Sequence, residues 1–169
     1  MQFELLKIDW TAIGSIATFF AVFVALYQSN TVAYQQRKRD AHMVGKVAVI
    51  FARAVKLIEE VEARIAAGEK PRDIGQIFQL VGGFEGLIHA AESVSLSDLS
   101  HPKAADELLR GRTALRNCQG LIVRLSKNQN NETELTLSTL REAFDLALKN
   151  LAQMQAYYEA PWWRRLRAT

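Results

Sequence analysis

Along the 169 residues the apolar positions fall into one unbroken block followed by four stretches with helical periodicity. The block runs from Trp10 to Gln36 without a charge, and Arg37, Lys38 and Arg39 end it in succession. Its apolar heart, residues 11 to 27, spans about 26 Å at roughly 1.5 Å per residue, and about 30 Å once Trp10 and Gln28 reach the interfaces. That is the thickness of a bilayer core. A buried helix of a small domain would carry a polar stripe, whereas here the strongly polar residues wait until Gln28, Ser29 and Asn30. The block therefore predicts a transmembrane helix with its inner interface over residues 10–36.

Behind the basic collar, Val44, Ala48, Phe51, Val55, Ile58, Val61 and Ile65 recur at helical spacing, which carries the anchor helix on to a stop at Gly68. Pro71 opens a second helix with Ile74, Ile77, Phe78, Val81, Phe84 and Ile88 inward, ending in the serine-rich stretch from Ser93 to Ser100. Gly82 and Gly86 in its middle either let another helix pack closely or mark a kink, and close packing is the favoured reading. Ser100 as cap and Pro102 near the first turn start a third helix, with Leu108, Leu115, Cys118, Ile122 and Leu125 inward and a polar end from Lys127 to Asn131. In the last helix, Leu137, Leu140, Phe144, Ala147, Leu151, Met154 and Tyr158 alternate by three and four before Pro161 halts it. The expected fold is all-α: a single N-terminal transmembrane helix continuing into a cytoplasmic up-down four-helix bundle. The expected organisation is a leader over 1–9, the membrane segment over 10–36, the bundle over 37–160 and a tail over 161–169.

Charge sharpens this picture. The net charge of +3 is not spread over a face. Residues 1–36 carry Lys7 against Glu4 and Asp9, whereas residues 37–46 carry Arg37, Lys38, Arg39 and Lys46 against Asp40 alone. The body, residues 47–163, is mildly acidic, with 13 basic and 15 acidic side chains, and Arg164, Arg165 and Arg167 follow it. Such a distribution argues against tracking a nucleic-acid backbone. It fits the positive-inside rule, which places the N-terminus outside a bacterial inner membrane and the rest in the cytoplasm. Cleavage as a secretory signal is not expected, because the leader is not basic and Tyr27, Gln28 and Ser29 follow the run.

The aromatic residues repeat the pattern. Trp10 marks the outer edge of the span, Tyr27 and Tyr34 flank the inner edge, and Tyr157, Tyr158, Trp162 and Trp163 gather near the C-terminus. An even number of helices would return that end to the bilayer, where Trp162, Trp163, Arg164, Arg165 and Arg167 form a second membrane contact. Within the span, Gly14, Thr18, Ala21 and Ala25 place small residues on one face, a seam for self-association. Thr11, Ser15, Thr18 and Gln28 could line a pore in such an oligomer.

Catalytic chemistry is not indicated. His42, His89 and His101 lie in different elements, no E-x-x-H pair exists, and Glu85, His89 and Glu92 read as a solvated helix face. No phosphate-binding loop or nucleophile elbow is present, and Cys118 stands alone as a core residue. No cofactor or metal is expected.

Arg37-x-x-x-x-His42 has the form of the motif of HEPN ribonucleases, all-helical dimers in which arginine and histidine converge on RNA. Arg37 reads more simply as a headgroup contact. In overall plan, with one N-terminal span, a basic collar and a small helical bundle, the chain resembles the one-span bacterial membrane effectors of phage-defence systems. These include the HEPN-like accessory membrane proteins of RNA-targeting CRISPR systems. That resemblance implies a non-enzymatic oligomer that perturbs or permeabilises the inner membrane when triggered. The alternatives are a membrane-tethered adaptor whose bundle binds a soluble cytoplasmic protein, and a membrane-tethered ribonuclease.

Overall fold

A computed structural model describes residues 10–99, 101–127 and 133–160, with side chains placed from Ala17 and from Thr136 in the first and last of these segments. The described residues form five helices and no strand, consistent with a helical bundle. They are α1 (Trp10–Ala66), α2 (Pro71–Val81), α3 (Gly83–Glu92), α4 (Pro102–Ser126) and α5 (Thr133–Glu159), with a short 3-10 turn at Leu96–Asp98. The chain divides into two compact units, Met1–Lys38 and Arg39–Thr169.

In the second unit the core positions of α1 are Val44, Val47, Phe51, Ala54, Ile58 and Val61, alternating by three and four. Val47 and Ala54 replace the expected Ala48 and Val55, which are only partly buried. At these two positions the inward stripe is shifted by one residue from the expected one. Gly68 adopts φ 78°, and Glu69 donates back to the Arg64 carbonyl at 3.2 Å, so α1 ends as the glycine predicts.

The expected second helix is two helices. Gly82 takes φ 61° and caps α2 by donating to the Gln79 carbonyl at 3.1 Å, and α3 starts afresh at Gly83. Neither Gly82 nor Gly86 has an atom within 4 Å of where a Cβ would stand, so close packing does not explain them. Gly82 is there for its backbone conformation. The break also turns the end of α2 outward: Ile77 and Val81, expected inside, are exposed, as is Leu80. The close approaches are made by Gly75, against the Ser126 backbone of α4, and by Gly111, where a Cβ would fall on the Phe51 ring.

Helix α4 is the central element, packing against α2, α3 and α5. Its expected inward residues Leu108, Leu115, Cys118, Ile122 and Leu125 are all buried, joined by Ala104, Gly111, Ala114 and Leu121. The cap is His101, whose Nδ1 accepts from the Lys103 amide at 3.2 Å; the predicted cap Ser100 lies outside the described residues. On α5, Leu137, Leu140, Phe144, Ala147 and Leu151 are buried and Met154 and Tyr158 pack at the core's edge.

No helix among the described residues is long and apolar enough to cross a membrane. The predicted span takes residues 10–16 from positions whose side chains lie outside the described ones. The apolar part that remains, Ala17 to Tyr27, covers about 16 Å at roughly 1.5 Å per residue, short of a bilayer core.

Substituting Gly111→Ala is expected to destabilise the second unit by about 1–3 kcal/mol through overpacking against Phe51. Gly86→Ala, in open space on a helix, should stabilise it by up to about 1 kcal/mol. Chemical denaturation of both variants checks this. Equal effects would show that the Phe51 seat is not as described.

Candidate functional site

Two features stand apart from the packed core. The first is the exposed stretch of α1. From Ala17 to Arg39 every side chain is exposed except the half-buried Ala33. Phe19 is 70% exposed and Leu26 62%, with Phe20, Val22, Phe23 and Val24 between them similarly open. Positions this closely spaced point all round a helix, so the apolar surface is a sleeve and not a stripe. Monomeric soluble proteins seldom present such a surface.

Of the expected interface residues, Arg37, Lys38 and Arg39 are exposed on α1, and the Lys38 ammonium lies 5.9 Å from the centre of the Tyr34 ring. Thr18, Ala21 and Ala25 of the predicted seam are likewise exposed. Trp10 and Gly14 belong to α1, but their surroundings lie outside the described residues, as do those of Thr11 and Ser15. Trp162, Trp163, Arg164, Arg165 and Arg167 lie outside them altogether. His42 is exposed.

The second feature is a cleft of about 450 Å³ within the second unit, between the start of α4 and the end of α5. His101, Lys103, Asp106, Glu107 and Arg110 line one side, and Asn150, Gln153, Met154, Tyr157 and Tyr158 the other. The α4 residues share a face because they recur at three and four. Glu107 is only 8% exposed, and its Oε1 accepts from the Asn150 side-chain amide at 2.8 Å. Tyr158 has its phenol pushed above the usual range, first by burial and then by the negative charge of Asp40, itself buried, and by Tyr157. Nothing in the amino-acid pattern marked this cleft, since Glu107 reads as one more charge on a polar turn.

Arg112 is a further polar device that the sequence did not reveal. Its guanidinium donates to the carbonyls of Ala91 at 2.9 Å and of Val94, and its Nε donates again to Ala91. These carbonyls lie at the end of α3 and just beyond it, where a cation meets the negative pole of the helix. Arg116 bonds Glu92 at 2.6 Å beside it, and holds that carboxyl below the usual range. Arg141 similarly joins α5 to Glu59 and Glu62 of α1. All three arginines tie helices together.

Among the described residues no cluster of histidine, cysteine and carboxylate could hold a metal. Glu85, His89 and Glu92 are exposed on α3. No family model, curated protein or solved structure matches the chain.

Cys118 is buried and its thiol is pushed up to about 12 by desolvation. A thiol is reactive only as the thiolate, so Cys118 is expected to resist iodoacetamide at pH 8 in the folded chain and to react fully in denaturant. Rapid labelling of the native chain, followed by mass spectrometry, would contradict the packing of α4.

Proposed function

We propose that the chain is a non-enzymatic membrane protein. It anchors through residues 10–36, self-associates through the face of Gly14, Thr18, Ala21 and Ala25, and perturbs or permeabilises the bilayer when it assembles. The observation that carries this reading is the sleeve of exposed Phe19, Phe20, Val22, Phe23, Val24 and Leu26. Exposed apolar area costs about 25 cal/mol per Å² relative to burial, and a lipid environment removes that cost from every side of a helix at once. The α1 helix begins at Trp10, which lets the apolar run continue upstream of Ala17 without a helix break. The collar Arg37, Lys38 and Arg39 would then meet anionic headgroups, each contributing about 1 kcal/mol. In this reading α2 and α3 form one broken rod, so five helices trace the four rods of an up-down bundle. The resemblance to one-span phage-defence effectors supports the same reading, with the bacterial inner membrane as the proposed location.

A tethered adaptor is the second reading, favoured by the outward end of α2. Leu80 is 88% exposed there, with Val81 and Ile77 beside it. A protein that co-purifies with the wild-type chain and is lost with Leu80→Asp would support it.

The chain expressed in bacteria is expected to stay with the membrane pellet through an alkaline carbonate wash. Phe20→Asp combined with Phe23→Asp should release most of it to the supernatant, since each charge at mid-span costs about 2.5–3.5 kcal/mol. Expression of the wild type should also depolarise cells, and Thr18→Leu should reduce that effect by spoiling the seam. Release of the wild type by carbonate would end the anchor reading. Unchanged membrane potential would end the permeabilisation reading alone.

A further inference from the structure

We propose that the cleft between α4 and α5 binds a small zwitterion, with its ammonium on the Glu107 carboxylate and its anionic group between Lys103 and Arg110. Its apolar or aromatic body would lie against Met154, Tyr157 and Tyr158. This assignment rests on the cleft alone and is independent of the membrane reading.

A buried carboxylate is costly unless it is paired and its lone pairs are used. Glu107 is more than nine-tenths buried, yet it accepts one bond from the neutral Asn150 amide and takes part in no ion pair among the described residues. A carboxylate has room for about four acceptor contacts, so this one is left to be completed from the cleft that it lines. Lys103 stands one turn before it and Arg110 one turn after, both exposed, and neither approaches within ion-pair distance.

The lining thus alternates in sign along α4, and this decides the ligand's charge. A simple organic cation would be drawn to Glu107 and Asp106 but repelled by Lys103 and Arg110. A simple anion would meet the reverse. A molecule carrying both charges a few ångströms apart, as an amino acid does, satisfies the two sets together. Opposite, the rings of Tyr157 and Tyr158 meet edge to face at 6.0 Å and, with Met154, form the apolar part of the wall. The volume lies within the usual range for small-molecule sites.

Calorimetric titration of the full chain in detergent with three probes that share a phenyl ring tests this. L-phenylalanine carries both charges, phenylethylammonium only the positive one and 3-phenylpropionate only the negative one. Phenylalanine is expected to bind at least tenfold more tightly than either of the others. Glu107→Gln should weaken it at least tenfold, and Asp145→Asn, on the exposed side of α5, should leave it unchanged. If Glu107→Gln does not fold by circular dichroism, Arg110→Gln, an exposed position, is expected to weaken phenylalanine while sparing phenylethylammonium. Absence of phenylalanine binding, or equal binding of all three probes, would overturn the proposal, as would unaltered affinity in both variants.

Discussion

The ring of Phe51 reaches α4 only because residue 111 has no side chain. Any Cβ there would occupy the place of the ring's far edge, and the same ring leans on Phe144 of α5 with centroids 5.4 Å apart. Three helices therefore meet at one aromatic side chain, and its seat fixes how far α1 and α5 stand from α4. Gly75 repeats the device between α2 and α4, with backbone meeting backbone at Ser126. Close-packed interiors do not absorb an added methyl group without moving their neighbours, so these two glycines set the distances within which the aliphatic positions then pack. The cross-links made by Arg112, Arg116 and Arg141 are consequences of that spacing. Exposed ion pairs contribute little, whereas Arg112 supplies donors that the closing carbonyls of α3 would otherwise take from water.

Apolar residues follow opposite rules in the two units. From Val44 to Val61 on α1 only the stripe spaced by three and four is buried, with Val49 and Ala52 left exposed; from Ala17 to Leu26 they are nearly continuous and all exposed. Periodicity is what a helix needs when one side faces protein and the other water. A run without periodicity answers to an environment that is apolar on all sides. Asp40, the first buried residue after the exposed stretch, marks where the second rule gives way to the first.

This division explains what was legible in the sequence. Helix α5 was fully readable at its core positions from Leu137 to Leu151, and α4 nearly so, because both bury large residues in a regular three-four alternation. Helix α1 was readable in extent but not in its finer register, since Ala54 is as deeply buried as Ile58 and small residues give no hydrophobic signal. The break at Gly82 was the second of the two readings its glycine allowed, a kink, where close packing had been favoured. A glycine needed for φ 61° and one needed for helix contact look alike in sequence, and here the contact glycines were Gly75 and Gly111. Arg112, Glu107 and Asn150 carried no signal, because their roles depend on partners 18 to 43 positions away.

Glu107 poses a physical question that packing does not answer. A leucine or methionine at that position would extend the stripe of Ala104, Leu108, Gly111 and Leu115, and replacing a buried charge by an apolar side chain of similar volume is often neutral or stabilising. The bundle instead keeps a carboxylate at the wall of its open cleft, held by one amide from α5, while two exposed cations on the same face stay out of ion-pair range. Had the charge served only to join α4 to α5, a direct pair with a cation on α5 would offset part of its desolvation by Coulomb attraction. A carboxylate fixed by a neutral partner is oriented without being neutralised, and that arrangement suits a group whose charge is to be met by something entering the cleft.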